Sequence, residues 1–517
     1  MPFPVDYRIH APVDARPRHG GEFVLFWMQT TMRAHDNFAL NFAIEQANQL
    51  NLPVQVYHGL RHDYPWASDR LHTWILESVV DLYADFAAKG INYAFWLDRS
   101  RGEYTEWPAG RRASGVRPQG SDPTPDAQRL TPDWSPLVSL AGRAALVVTD
   151  YFPTFIVPRQ IRGLRAKVET PVIAVDSATV VPMAYHQKEH STARGIRPIL
   201  MDALPHYLWP VENPEPRVRT GVEVEFEPTR PWKKGEGRRE KGQQEGERGN
   251  GKGERGKQEE ERKAVIAELV AGCDVDHSVP PSPTFRGGTR AGRRRLADFL
   301  EYGLKSYTDD RNDPNRPDAV SRLSPWLHFG NLSIHEVLLA VRDAGPANQY
   351  AKYLDEALTW RELAHNFCHF NPRHRTTAAI PAWASQELTR HESDSRPELY
   401  SMEAMEQART GEPLWNAAQR AYLRDGWMHN YMRMLWGKTV LKWTPNAVEA
   451  LRVLEHLNNK YSLDGRDPNS YGGIMWIFGK FDRPFYRRPI YGTVRYQSLK
   501  AAAGKFNVGE YCGRYQE

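Results

Sequence analysis

The sequence predicts two domains of different class: an α/β domain built on a parallel sheet, then an all-α helical domain. Three observations predict this. The first third alternates short apolar runs with amphipathic stretches, strand signals nearly vanish after Lys263, and the hydrophilic segment 233–263 separates the two patterns. A chain of 517 residues is also too long for one compact core.

The elements follow in order. GEFVLFWM (21–28) is an apolar, β-rich run, and DNFALNFAIEQANQLN (36–51) places apolar residues at helical spacing. PVQVYHGL (53–60) is a second strand and RLHTWILESVVDLYADFAAKG (70–90) a second amphipathic helix. INYAFWL, AALVVTD and PVIAVDS supply three further strands. Such alternation argues for a parallel sheet with helices on both faces. The interval from Arg101 to Ser135 is rich in Gly, Pro, Ser and Arg and reads as an exposed loop. Segment 233–263 holds only Lys, Arg, Glu, Gln, Gly and Asn, too little apolar surface to offset chain entropy, and reads as a charged linker insert, disordered or fraying-helical. The expected boundaries are 1–200 for the α/β domain, 201–262 for a linker and 263–517 for the helical domain. Helices are expected at 264–273, 290–307, 335–345, 349–370, 397–411, 413–426, 430–443 and 446–461.

A formal charge of +5 is too small to bind a polyanion by bulk attraction, so any such affinity needs a local patch. Cys273, Cys368 and Cys512 are scattered, without metal or disulfide spacing. That usage fits a reducing setting, and the N-terminus has no apolar h-region, so a cytoplasmic location is expected (nucleoid-associated in a bacterium). No run is long enough to span a bilayer.

There is no Walker A loop, GxGxxG turn, HExxH or GxSxG. His365 and His369 share a helix face but lack an evident third ligand, so they read as structural and no metal is expected. The informative stretch runs from Trp427 to Tyr496. Trp436 and Trp443 lie two helical turns apart on one face, about 10 Å along the axis. Rings that close can pass an electron. LSPWLHFG (323–330) opens a helix with Ser-Pro, whose free N–H groups suit an anion. In EALTWREL, Glu356 and Trp360 share a face beside Arg361, an arrangement suited to a flat ligand with a polar edge.

These stretches, with WMQTTMRAHDNFAL, VVTDYFPTFIVPRQ, ARGIRPIL, PLWNAAQ, MHNYMRMLWGK and NKYSLDGRDPNSYGGIMW, resemble the photolyase/cryptochrome family, and within it the class II cyclobutane pyrimidine dimer photolyases. The resemblance implies a Rossmann-like α/β N-terminal domain followed by an all-α FAD-binding domain. It implies an activity in which reduced FAD absorbs blue light and lends an electron to a pyrimidine dimer in DNA, with the target bases flipped out of the duplex. It places FAD on Tyr307, Leu323, Ser324, Pro325, Leu327, Arg361, Asn430, Arg433, Asp464 and Asp467, with Arg433 and Asp464 paired and Asn458 facing flavin N5. It gives Glu356 the pyrimidine edge, with burial expected to keep a proton on it, and gives Trp360, Trp476 and Met434 the lesion's walls. It implies a relay from Trp436 through Trp415 to Trp443 near solvent. Lys480, Arg483, Arg487, Arg488 and Arg495 are the phosphate-binding candidates. A deazaflavin or folate antenna in the N-terminal sheet, damaged DNA as partner and a monomeric state complete the expectation. A cryptochrome-like photoreceptor is the alternative reading.

Overall fold

The computed structural model describes residues 7–13, 15–99, 135–232 and 251–516. Six strands form one sheet: β1 (Ile9–His10), β2 (Val24–Met28), β3 (Val54–Leu60), β4 (Asn92–Leu97), β5 (Leu146–Asp150) and β6 (Val172–Val175). Their order is β1-β6-β5-β2-β3-β4, with β1 antiparallel and every other pairing parallel. The five parallel strands are the five apolar runs of the sequence. Strands β2, β5 and β6 are buried along their whole length, as a sheet covered on both faces requires.

The winding reverses between β2 and β5. Beyond their carboxyl ends, Asp150 Oδ2 accepts from the backbone N–H groups of Gln29, Thr30 and Thr31. This is the crevice where doubly wound sheets hold ligands, and here it faces the helical domain. Arg33 crosses the seam to the Gly330 carbonyl, and Trp74 Nε1 donates to Asn331 Oδ1. Thr154 donates to the Arg466 carbonyl.

From residue 251 onward the described elements are helical. The helix Gly251–Ala271 takes in residues 251–263 of the charged insert, the helical side of that reading. Its buried Ile266, Leu269 and Val270 belong to a core shared with Trp74 and Val79, and Lys263 pairs with Glu259 and Glu260 one turn back. Packing of the apolar end supports helix in the charged end; residues 233–250 lie outside the described residues. So does the Arg101–Ser135 loop, except that Ser135 opens the helix Ser135–Arg143. The segment 207–232 lies along the sheet: Phe226 packs edge-on against Tyr57 at 5.8 Å, and Thr229 N–H donates to the Phe95 carbonyl. The expected helix at 397–411 shrinks to Met402–Glu406, ended by Ala408 at φ +53. No helix among the described residues is long and apolar enough to cross a membrane.

Candidate functional site

Helical segments place most of the candidate residues. The stretch 347–370 is helical throughout but widens to a π-helical segment at Asp355–Trp360. Such a bulge re-aims side chains and is frequent at functional sites; here it carries Glu356 and Trp360. Helix Pro468–Ile477 packs against this stretch. Gly472 is required at the crossing, since a Cβ there would stand 2.7 Å from the Ala364 methyl. The close approach brings Trp360 and Trp476 into a stack, centroids 4.6 Å apart and planes 18° off parallel.

Behind this pair lies a buried charged cluster. Arg433 Nη2 donates to both Asp464 oxygens, at 2.9 and 3.2 Å. Burial disfavours the ionised Asp464, yet Arg433, Ser324 and Ser462 together hold its carboxyl below the usual range. Asp467 caps helix Pro468–Ile477 through the Asn469 N–H, and its other oxygen stands 3.1 Å from His328 Nδ1. Burial opposes its ionisation too, but His328, His365 and Arg361 hold it well below the usual range. Arg361 donates to the Ala178 carbonyl in the seam, and burial lowers its pKa against the pull of Asp467 and Glu362. Asn458 is buried, accepts from Tyr422 Oη at 3.3 Å and donates to Asn459 Oδ1.

The remaining cofactor candidates surround this cluster unevenly. Ser324 reaches Asp464, and Leu323 and Pro325 are buried beside it. Leu327 lines a small crevice with Thr30, Ser177, His328 and Arg361. Tyr307 packs on Tyr353 at 5.3 Å, with the Arg311 guanidinium 5.7 Å over its ring. Met434 is half-buried on the helix that carries Arg433. Asn430 is exposed at the start of that helix and stands outside the buried cluster.

The tryptophans form a chain. Trp436 and Trp415 stack at 6.1 Å, and Trp415 meets Trp443 edge-on at 5.2 Å. Trp415 Nε1 donates to the Trp436 carbonyl and Trp436 Nε1 to Gln419, which fix both indoles. One expectation fails: Trp443 is fully buried, because Tyr400 covers it edge-on at 4.9 Å. Tyr400 is the half-buried end of the chain, its hydroxyl donating to Glu398. Tyr400 lies just before helix Met402–Glu406, outside the elements that carry the three tryptophans.

Two further expectations are corrected. Glu356 is half-buried rather than enclosed, and it pairs with Arg311 at 2.8 Å and Lys352 at 2.7 Å. Lys480 is not a free phosphate contact. It is buried, pairs with Glu189 at 2.5 Å and lies 4.6 Å over the Phe367 ring. Arg483, Arg487 and Arg488 are exposed and Arg495 half-buried, although Arg487 pairs with Glu387. His365 and His369 bond to the Arg361 carbonyl and to Tyr151 Oη.

Comparison with known proteins agrees with this geometry. Residues 353–496 match the model of the FAD binding domain of DNA photolyase. The chain is 31% identical over 499 residues to a deoxyribodipyrimidine photo-lyase of Methanothermobacter thermautotrophicus, covering 96% of this chain and 94% of the relative. It is 33% identical to one from Arabidopsis thaliana, covering 94% and 88%. Its fold is similar to a class III photolyase from Agrobacterium tumefaciens (TM-score 0.60, 17% identity, 97% and 88% covered) and to a Synechocystis cryptochrome (0.61, 15%, 96% and 89%). Identity above 30% across nearly the whole length settles the family: this chain belongs to the photolyase/cryptochrome family and carries its FAD-binding domain.

Proposed function

We propose that this protein splits cyclobutane pyrimidine dimers in DNA under blue light, as a class II photolyase. The observation that carries the reading is the Trp360–Trp476 stack, two half-buried indoles on the helices that also present Arg361 and Asp467. Flat half-buried rings are platforms for bases, each worth about 1–3 kcal/mol by stacking.

The residues fit a flavin. Arg433 Nε is buried without a hydrogen-bond partner although its Nη2 is engaged, so the guanidinium keeps a donor for an acceptor group. The Asn458 amide can donate or accept as a ring nitrogen requires. Bound reduced FAD supplies the light-driven electron. Arg433 steadies negative charge beside it, and the surrounding apolar side chains exclude water. Glu356, flanked by two cations, accepts hydrogen bonds from pyrimidine N–H groups. Trp436, Trp415 and Trp443, extended by Tyr400, would offer a bound flavin a path for electrons from an external reductant. Arg483, Arg488 and Arg495 meet phosphates. The resemblance alone supports a deazaflavin or folate antenna on the N-terminal sheet.

The test is an absorption spectrum of the purified protein, then blue-light repair of a thymine-dimer oligonucleotide. Flavin absorbance with light-dependent loss of dimers is expected. Bound, photoreducible flavin with dimers left intact would overturn the reading in favour of a photoreceptor.

A further inference from the structure

Lys438 is fully buried on helix Asn430–Trp443, one turn beyond Met434. An ammonium is costly to bury unless it is well bonded. No direct ion pair to a carboxylate is seen among the described residues; Lys438 instead meets the end of another helix. Its Nζ donates to the Ile477 carbonyl at 2.6 Å and to the Trp476 carbonyl at 3.3 Å. The last carbonyls of a helix lack intrahelical partners and carry the negative end of its dipole. Helix Pro468–Ile477 is therefore held at both ends by charged side chains, Asp467 at its start and Lys438 at its finish. Trp476 is its penultimate residue.

The same lysine is tied to the arginine-rich loop. Tyr491 Oη donates to the Lys438 carbonyl at 2.7 Å. Asp482 and Arg495 are the charged groups that face its ammonium, and Asp482 also faces Trp476.

We propose that Lys438 is a positioning residue for the lesion pocket: its ammonium anchors the end of helix Pro468–Ile477 and so sets where the Trp476 ring stands. The proposal rests on the reading of Trp360 and Trp476 as the lesion-binding pair. It has a readable consequence. Burial pushes Lys438 down to about 7, with Asp482 pulling upward and Arg495 pushing further down. The anchor thus loses its charge as pH rises through the neutral range, and charge-assisted bonds are roughly twice as strong as neutral ones.

The experiment measures affinity of the flavin-loaded protein for a thymine-dimer oligonucleotide and for its undamaged counterpart, from pH 6 to 8.5 at fixed ionic strength. Wild type, Lys438→Gln, Lys438→Met and Trp476→Ala are compared. Wild-type preference for the dimer should fall several-fold with rising pH. Both lysine variants should keep their flavin, lose about tenfold in preference, the scale of a bond to a charged donor, and show no pH dependence. If Trp476→Ala loses preference while Lys438→Gln matches wild type at every pH, the positioning role is refuted and the lesion pair stands. If Trp476→Ala keeps full preference, the lesion-pair reading falls and the proposal with it. Should both lysine variants fail to fold, the wild-type pH profile decides: a flat profile overturns the proposal.

Discussion

Replacing Asp464 by Asn removes one charge of the Arg433 pair and leaves the guanidinium in place. The Asp464 and Arg433 side chains are 7% and 20% exposed, so water reaches only the edge of the guanidinium. Breaking a fully buried pair costs about 3–5 kcal/mol, and the residual exposure of Arg433 puts this one near the lower end, about 3. The Asn oxygen keeps an acceptor for Arg433 and for the Ser462 hydroxyl, which restores about 1 kcal/mol. A net loss of about 2 kcal/mol is expected, a large part of a typical total of about 5–15. The pH dependence has a definite sign. Asp464 is held below its ordinary value of 3.8, so its contribution is present above that value and lost as pH falls through the folded one. The gap between wild type and Asp464→Asn should therefore be full at pH 7 and close on acidification. Urea unfolding followed by tryptophan fluorescence at several pH values measures it, with Asp464→Leu, Arg433→Met and the double variant Asp464→Leu/Arg433→Met completing a cycle. The double variant should recover much of the loss. If its cost equals the sum of the two single losses, the residues are not a coupled pair and the reasoning is wrong.

Trp415→Phe should block photoreduction of the flavin while leaving repair by chemically reduced protein intact, measured by flavin absorbance under light and by dimer loss after dithionite treatment; equal loss of both activities would dissolve the relay. Arg483→Ala should lower DNA affinity and flatten the slope of log affinity against log salt by nearly one, whereas Lys480→Met should leave that slope unchanged and lower stability instead, since Lys480 is already paired with Glu189. Glu362 accepts from the Val180 and Val181 N–H groups across the seam, and burial, opposed by those bonds and Arg361, raises it from 4.5 to about 8. The folded state therefore holds a proton that the unfolded chain has lost between those values, and stability from this group declines as pH rises through that window. Glu362→Gln should remove the decline in urea unfolding between about pH 5 and 8; an unchanged pH slope would contradict the assignment.

What the sequence discloses follows from the range of the interaction. The five parallel strands are uninterrupted apolar runs, legible because burial on both faces leaves no alternation to misread. Strand β1 escaped because two residues carry no period and its pairing with β6 spans the domain. Helix Pro468–Ile477 is absent from the expected helices because Asp467, Pro468, Gly472 and Gly473 are turn-formers by local chemistry. In the fold the first two start the helix and Gly472 admits Ala364, and that contact builds the Trp360–Trp476 stack. The spacing of Trp436 and Trp443 was visible in one helix, but Trp415 enters between them from another, and only the resemblance could place it. Charges were the least legible. A basic run counts the cations present and says nothing of how many remain free. Lys480 is neutralised by Glu189 from 291 positions away, and Glu356 meets Arg311 from the turn after helix Tyr307–Asp310. Arg483 and Arg488 stay exposed, so the same run supplies both an internal clamp and an exposed basic surface, the one we propose meets DNA. The salt dependence of Arg483→Ala and Lys480→Met should separate the two.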